Sequence, residues 1–350
     1  MSTPVCVVPA LVWPSVGLAD ELARARLPGL AALLSQATLL EAPAQALESW
    51  LAEQFGIAQD APLALMRLAG ESRFIGEAPE LDTGAAWLCA DPVALTFARE
   101  NLLLTDPASL GITAEETAAL IDALNHDFAD VGRFYAATPT RWYVRLTESW
   151  GHVDDIVLPP LDDVVGRPVA LFQPEGPDAA RWARLANELQ VFCYNHSVNA
   201  TRESTGKPPL NALWLWGNGR LPQTPVRTPS SALSGDHPML RGLVRLAGQN
   251  IVSHDKATWQ LHDDLLAPAM QRDPHTWLMA LQDLDARVLA PLAQALSSGR
   301  MRAVTLVSPC DHALVMAEIM PRARWQFWRR DLSPVELAQR LTRPERRPRA

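Results

Sequence analysis

Short segments of consecutive apolar residues recur along this chain. Between them lie segments whose apolar residues recur at helical spacing. Val5–Val8, Leu213–Trp216 and Ala303–Val307 are three such segments. A strand that is apolar on both sides is buried on both faces of its sheet, which requires helices above and below it. The pattern predicts an α/β fold with a central, mostly parallel sheet in which these three strands are neighbours.

Several segments between the strands carry helix signals. Pro28 stands near the start of a leucine-rich run, and Thr113 and Glu116 form a capping box. Asp178 precedes a long segment with apolar residues at helical spacing, and Pro274 opens another, which Pro291 is expected to kink. We expect helices at these places.

The composition limits the class of protein. The chain has 350 residues, of which 48% are hydrophobic and 20% charged, so it can bury a large core. Its formal net charge of -8 gives no general attraction to nucleic acid or to anionic lipid, and no apolar run reaches the length of a membrane span. We expect a cytoplasmic protein without nucleic-acid or membrane partners. The four cysteines lie far apart, which favours free thiols.

The order of the segments suggests two lobes and a tail. We expect a core built from residues 1–85 and 173–335, and a smaller inserted α/β lobe over residues 86–172. Residues 336–350 are rich in arginine and proline and are expected to form a basic flexible tail. Just before them, Trp325–Arg330 interleaves aromatic residues with arginine, which suits either a protein partner or the closing of the domain's own edge.

Common catalytic motifs are missing from the sequence, including G-x-S-x-G, the Walker loop, G-x-G-x-x-G after a strand and H-E-x-x-H. Several weaker motifs nevertheless follow one another in a telling order. They are Thr113–Glu116, Arg141–Leu146, the turn Leu158–Gly166, Asn195–Asn199 with Arg202, Gly206–Asn211 and Leu213–Pro222. In this order the chain resembles the archaeal-type cofactor-independent phosphoglycerate mutases. The resemblance implies an alkaline-phosphatase-like fold, and within the group the chain is most similar to a bacterial branch of RpfE-type regulatory proteins.

Phosphoryl transfer in that family needs two divalent metals and a serine nucleophile. Here the first strand runs into Val8-Pro9-Ala10, where the family has an aspartate and a glycine, and no serine stands out as the nucleophile. Asp311 and His312 after a late strand could form half of a metal site. His254 and His275 are better explained as surface or loop histidines, and Asp263 and Asp264 as a solvated helix face.

A second set of residues suggests an anion site. Asn199, Arg202 and Asn211 are expected to orient a small anion beside the Gly217–Gly219 turn, with Arg141 reaching in from the smaller lobe. The alternative is that the two asparagines cap backbone groups and that Arg202 ties two segments together.

These observations predict a catalytically degenerate, phosphoglycerate-mutase-like regulatory or binding protein rather than an enzyme. A small phosphorylated acid and a protein partner are the expected binding partners. The alternative is an active, metal-dependent phosphoglycerate mutase or phosphatase, and only that alternative requires a divalent metal, Mn or Zn. The sequence does not identify the ligand or the oligomeric state.

Overall fold

The computed structural model describes residues 3–13, 15–57, 61–98, 100–150, 153, 155–219, 221, 225–310, 313–321 and 333–342. The strands are β1 (Val5–Val7), β2 (Ala37–Ala42), β3 (Trp87–Ala98), β4 (Asn101–Thr105), β5 (Gly132–Thr138), β6 (Arg141–Leu146), β7 (Ala212–Trp216), β8 (Leu233–Ser234), β9 (Trp259–Leu261), β10 (Val304–Ser308) and β11 (Leu314–Ile319). The helices are α1 (Ala19–Arg24), α2 (Pro28–Leu34), α3 (Leu47–Gln54), α4 (Leu63–Gly70), α5 (Ala114–Asp127), α6 (Leu161–Val164), α7 (Ala179–Asn195), α8 (Ser197–Ser204), α9 (Pro238–Leu246), α10 (Leu266–Met270), α11 (Pro274–Leu284), α12 (Ala290–Ser297) and α13 (Pro334–Leu341). Strands and helices alternate over most of the chain, so it is a mixed α/β protein.

The chain divides into two compact units whose borders differ from the prediction. The first unit comprises Met1–Trp50, Pro229–Asp236 and Ile251–Ala350, and the second comprises Leu51–Thr228 and His237–Asn250. Residues 51–85, 173–228 and 237–250 therefore belong with the predicted smaller lobe and not with the predicted core. The main reason is β7, which pairs with β3 over five residues and so joins the later segment to the lobe's own sheet.

The first unit contains a six-stranded sheet in the order β2-β11-β10-β1-β9-β8. The pairs β10-β1, β1-β9 and β9-β8 are parallel, whereas β11 runs antiparallel to both of its neighbours. The predicted mostly parallel central sheet is confirmed, with Val5 directly opposite Thr305. The third strand named in that prediction, Leu213–Trp216, is not in this sheet, so that part of the prediction was wrong.

Helix α13 corrects the prediction of a flexible tail from residue 336. Leu337, Ala338 and Leu341 are buried in the core of the first unit, and Ser333 and Glu336 form a capping box at the start of the helix. Thr342 forms a β-bridge with Trp13. The prediction rested on the high arginine content of this segment. It overlooked that the three buried residues recur at helical spacing among polar ones. Residues 343–350 and the segment 325–330 lie outside the described residues.

The second unit contains a five-stranded sheet in which β4, β3, β6 and β5 follow one another and β7 also pairs with β3. All of these pairs are antiparallel. Leu88, Trp142 and Val144 on this sheet share one apolar cluster with Leu120 of α5 and Leu185 of α7. Helices α4 and α9 pack against each other within the same unit.

The contact between α4 and α9 is close because glycine stands on both helices. A Cβ atom on Gly242 would lie 1.7 Å from the carbonyl oxygen of Met66, and one on Gly70 would lie 1.8 Å from that of Pro238. No side chain larger than hydrogen fits at either position unless the helices move apart.

Among the described residues, no helix has both the length and the apolar character needed to cross a membrane.

Candidate functional site

The carboxyl edge of the parallel strands is the place in the first unit where a site is expected. In open α/β sheets ligands bind outside the carboxyl ends of the strands, close to where the strand order reverses. Four chain segments meet at this edge: Ser234 at the end of β8, Val8–Ala10 after β1, His262 after β9 and Ser308–Cys310 at the end of β10. Strand β1 lies between β9 and β10, so its turn occupies the centre of the edge.

The central turn Val8–Ala10 offers backbone groups but no metal-binding side chain. Ala10 has a φ of 55°, in the left-handed region that glycine favours. Its N–H donates to the carbonyl of Pro309 at 3.2 Å, and its carbonyl accepts from the indole nitrogen of Trp277 at 2.9 Å. The turn is therefore held firmly, with alanine in a backbone conformation typical of glycine.

Two histidines and a serine form the polar cluster of this edge. The imidazole rings of His254 and His262 are stacked, with centroids 5.0 Å apart and planes inclined by 15°. The Nδ1 atom of His254 lies 2.8 Å from Oγ of Ser234, and Nε2 of His262 lies 3.2 Å from Oε1 of Gln260. Both imidazoles therefore hydrogen-bond to neutral side chains.

The electrostatics of the cluster keep His262 neutral. Burial, together with the neighbouring His254, lowers the pKa of His262 from 6.5 to about 4. The distance between Ser234 and His254 would allow proton transfer, but Ser234 is only 1% exposed. The pair thus ties residues 254–256 to the end of β8 and does not present a nucleophile to solvent. Sequence reasoning gave His254 a surface position, which is correct for its exposure, and missed its contact with Ser234.

The described residues of this edge do not fit a two-metal centre. No group of three or more histidine, cysteine, aspartate or glutamate side chains is placed to hold a metal ion within the part of the chain that the structure describes. Asp264, which follows His262, is paired with Arg287 at 2.8 Å. Asp311 and His312, the predicted half site, lie outside the described residues.

Arg202, the central residue of the predicted anion site, is a structural tie in the second unit. Its side chain is completely buried. Nε donates to the carbonyl of Pro208 at 2.8 Å, Nη2 to that of Leu110 at 2.5 Å, and Nη1 to Oε2 of Glu116 at 2.7 Å. The expectation that Arg202 faces a ligand was wrong, because each of its three nitrogens donates to a group inside the unit.

Asn199 and Asn211 also serve the backbone, which corrects their assignment to a cleft wall. The amide of Asn199 donates to the carbonyls of Cys193 and Leu210 and accepts from the Leu210 N–H. The amide of Asn211 pairs with both backbone groups of Leu95 and so continues the contact between β7 and β3. The structural alternative considered for these asparagines is the one observed.

The Gly217–Gly219 turn is bound by its own unit. Gly217 has a φ of 77° and its carbonyl accepts from the N–H of Ala64 at 2.8 Å. The side chain of Asn218 donates to the carbonyls of Val153 and Ile156. Gly219 has a φ of 137°, which also suits glycine alone. These contacts join the turn to helix α4 and to residues 153 and 156.

Arg141 belongs to a polar network different from that of Arg202. Its guanidinium donates to both carboxylate oxygens of Glu71, at 2.6 and 2.9 Å, and the hydroxyl of Tyr143 donates to the same carboxylate at 2.8 Å. The side chain of Arg141 keeps 34% of its surface exposed, whereas that of Glu71 keeps 5%. Of the predicted site arginines in the described chain, Arg141 alone reaches solvent.

Sequence reasoning missed a buried ion pair in the second unit. Arg67 on α4 donates to both oxygens of Asp91 on β3, at 2.9 and 2.7 Å. Asp91 also accepts from the N–H of Trp142 and from the indole of Trp216. Burial lowers the pKa of Arg67, but the Asp91 carboxylate, together with Cys89 and Tyr143, raises it well above its ordinary value. The signal was present, since each charge stands alone in an apolar segment.

Known proteins resemble this chain at low sequence identity or over part of its length. No family model matches the chain. A 2,3-bisphosphoglycerate-independent phosphoglycerate mutase 2 from Methanothermobacter thermautotrophicus is 35% identical over 161 residues, which cover 45% of this chain and only 40% of that relative. A 2,3-bisphosphoglycerate-independent phosphoglycerate mutase from Methanosarcina mazei is 24% identical over 272 residues, or 68% of each chain.

A solved structure extends the likeness to the fold. The PH0037 protein from Pyrococcus horikoshii aligns with 95% of this chain and 90% of its own, with a TM-score of 0.54 and 11% identity. This likeness, together with the mostly parallel sheet, is consistent with the predicted alkaline-phosphatase-like fold. By sequence, the chain is similar, at low identity, to archaeal and bacterial cofactor-independent phosphoglycerate mutases.

Proposed function

We propose that this chain is a catalytically degenerate, phosphoglycerate-mutase-like protein that acts by binding. It would then belong with the RpfE-type regulatory proteins that its motifs resemble. The observation that carries the proposal is the turn Val8–Ala10 at the centre of the carboxyl edge. Two-metal phosphoryl transfer needs anionic or imidazole ligands on both sides of the reacting phosphoryl group. Valine, proline and alanine supply none at this turn.

Two serines of the first unit support the same proposal, Ser308 at this edge and Ser35 at the opposite edge of the sheet. A phosphoryl acceptor needs a hydroxyl that a substrate can reach and a base or metal that activates it. Ser308 is 1% exposed and its Oγ accepts from the N–H of Leu11 at 3.1 Å. Ser35 after α2 donates to the carbonyl of Ala32 at 2.9 Å. Each of these hydroxyls takes part in the local backbone structure.

A small phosphorylated acid is the ligand class that we propose. The named activity of the curated relatives concerns phosphoglycerates, although the first of them is matched over less than half of its length. Within the second unit Arg141 is the guanidinium that we propose for the contact, because its side chain is partly exposed. It would have to share its donors between Glu71 and the ligand.

Metal analysis of the purified protein, combined with an assay that interconverts the two phosphoglycerates, tests the absence of catalysis. We expect neither stoichiometric manganese or zinc nor turnover. Stoichiometric metal with turnover would instead establish the alternative, an active mutase or phosphatase. The 35% identity to a phosphoglycerate mutase over 161 residues favours that alternative.

Calorimetric titration with 3-phosphoglycerate tests the ligand. We expect saturable binding that weakens about tenfold in Arg141→Ala, as the loss of a charge-assisted hydrogen bond implies. Arg145→Ala is the matched control, because Arg145 lies on the same strand and is also paired with a carboxylate, that of Asp82. Absence of binding to the wild type, or equal weakening in both variants, would refute the role of Arg141.

A further inference from the structure

The second unit contains a cavity that has no part in the function proposed above. Its volume is about 220 Å³. The floor consists of buried residues of α7 and β7, among them Trp182, Leu213 and Leu215. Phe172 and Trp214 are half-buried at its sides, and Asn187 and Gln173 are exposed at the rim. A buried apolar floor beneath a polar rim is the usual arrangement of a small-molecule site.

The residues that line the cavity disfavour a charged ligand. Seventeen residues line the cavity, and none of them is Asp, Glu, Lys, Arg or His. Three aromatic side chains, Trp182, Trp214 and Phe172, stand among leucines, prolines and alanines. A phosphate or carboxylate would therefore lose its hydration without gaining a cationic partner in the lining. Arg167, whose guanidinium lies 4.5 Å from the centroid of the Phe172 ring, is not among the lining residues. An uncharged, flat molecule would keep favourable contacts with the aromatic rings.

Two side-chain amides provide hydrogen-bonding groups at the cavity. Asn187 and Gln190 lie three residues apart on α7, so they project from the same face of the helix. Neither amide makes a hydrogen bond to any other described residue. An amide both donates and accepts, so it can bind a hydroxyl or an amino group on the ligand.

The wall opposite α7 is fixed before any ligand arrives. Val157 and Glu175 exchange two backbone hydrogen bonds, at 2.8 and 3.1 Å, which closes the segment between them into a loop. The indole of Trp214 donates to the carbonyl of Pro159 at 2.9 Å, and the N–H of Gly166 donates to that of Leu104 at 2.9 Å. A wall held at these points costs little conformational entropy on binding.

We propose that this cavity, which we call the α7 cavity, binds an uncharged two-ring aromatic molecule that carries one hydroxyl or amino group. An apolar cavity of roughly 150 Å³ holds benzene, so one of about 220 Å³ accommodates a second ring. The rings lie against Trp182, Trp214 and Phe172, and the polar group contacts Asn187 or Gln190. This site is separate from the proposed contact of a phosphorylated acid with Arg141.

Titration calorimetry of the full chain with 2-naphthol tests the proposal, and naphthalene-2-sulfonate provides an anionic probe with the same rings. We expect saturable binding of 2-naphthol with a dissociation constant below about 1 mM and binding of the sulfonate at least tenfold weaker. 3-Phosphoglycerate should not compete with 2-naphthol, so the result is independent of the function proposed above. No saturable binding of 2-naphthol, or equal affinity for both probes, would overturn the proposal.

Variants of α7 locate the site. Ala186 lines the cavity, and Ala186→Leu fills part of it and should weaken 2-naphthol at least tenfold. Ala180→Leu adds the same side chain at an exposed position of the same helix and should bind like the wild type. Gln190→Leu should weaken binding about threefold, through loss of one neutral hydrogen bond. If Ala186→Leu does not fold, Ala183→Leu serves instead, and wild-type affinity in the folded variant would contradict the assignment.

Discussion

Arg202 donates to the carboxylate of Glu116 at 2.7 Å across a sequence separation of 86 residues. Glu116 is also the second half of the capping box that begins α5, since its carboxylate accepts from the N–H of Thr113. One carboxylate therefore joins the start of α5 to helix α8. Because Arg202 is completely buried, this contact is part of the core of the second unit and not of a ligand site.

Arg202→Ala should destabilise the protein strongly. The change removes the guanidinium from the Glu116 carboxylate, which keeps the Thr113 N–H and Lys207 as partners, and leaves the carbonyls of Pro208 and Leu110 without this donor. Breaking a buried pair in this way typically costs about 3–5 kcal/mol. We expect the melting temperature to fall by roughly 6 °C or more, measured by circular dichroism. Arg133→Ala is the control, because the Arg133–Glu77 pair is exposed on both sides and such pairs contribute less than about 1 kcal/mol. A melting temperature equal to that of the control would mean that Arg202 is not a structural tie.

The Arg67–Asp91 pair should show strong coupling in a double-mutant cycle. Arg67→Met leaves Asp91 buried with an unpaired charge, and Asp91→Leu does the same to Arg67, so each single change should cost about 3–5 kcal/mol. The double variant removes both charges and should lose clearly less than the sum of the two single losses. Urea unfolding monitored by tryptophan fluorescence measures all four corners. Simple additivity would show that the two residues act independently.

Stability should depend on His262 in mildly acidic solution. The folded state holds the pKa of His262 at about 4, below its ordinary 6.5, because burial and His254 oppose a charge. The unfolded chain therefore binds more protons as the pH falls from 6.5 towards 4, and the contribution present above pH 6.5 is lost over that range. His262→Gln should lose less stability than the wild type between pH 7 and pH 4.5 in thermal melts. Asp264 and Arg287 also influence this histidine, with opposite signs. Parallel pH profiles of the two proteins would argue against the assignment.

Gly242→Ala should force helices α4 and α9 apart. The new methyl group would lie 1.7 Å from a backbone oxygen, and a backbone contact of this kind cannot be relieved by rotating a side chain. We expect a loss of roughly 3 kcal/mol or more, as in other overpacked cores, measured by urea unfolding. Gly17→Ala is the matched control, since its nearest neighbour would be the Ser15 hydroxyl oxygen at 3.5 Å, an ordinary contact. Similar small effects at both glycines would show that the helix contact is soft.

Local signals in the sequence predicted several elements correctly. The strand expected at Ala303–Val307, the capping box Thr113–Glu116 and the helix beginning at Pro28 are all confirmed. The helix expected after Asp178 is also present; it ends at Asn195, and His196 caps the start of the next helix, α8. In each confirmed case the residues that determine the element lie within a few positions of one another.

The sequence did not reveal which residues far apart in the chain contact one another. The apolar run Leu213–Trp216 predicts a buried strand, but a run without alternation contains nothing that selects one sheet over another. Arg202 was expected to bind an anion, and nothing near it in the chain indicated its partners Leu110 and Glu116, which are 92 and 86 residues away. The isolated charges of Arg67 and Asp91 show that such pairs can be found when each stands in an apolar segment.

The position of β1 between β9 and β10 determines when the first unit can fold during synthesis. Val5–Val7 needs partners as far along the chain as Val307. At a translation rate of about 5–20 residues per second, the first strand waits roughly 15–60 s for them. The contiguous segment Leu51–Thr228 supplies all five strands of the other sheet and can assemble that sheet meanwhile. On the ribosome, Val5–Val7 therefore still lacks its β10 partner when the other sheet already has all of its strands, and an apolar strand left unpaired in this way is a binding segment for chaperones.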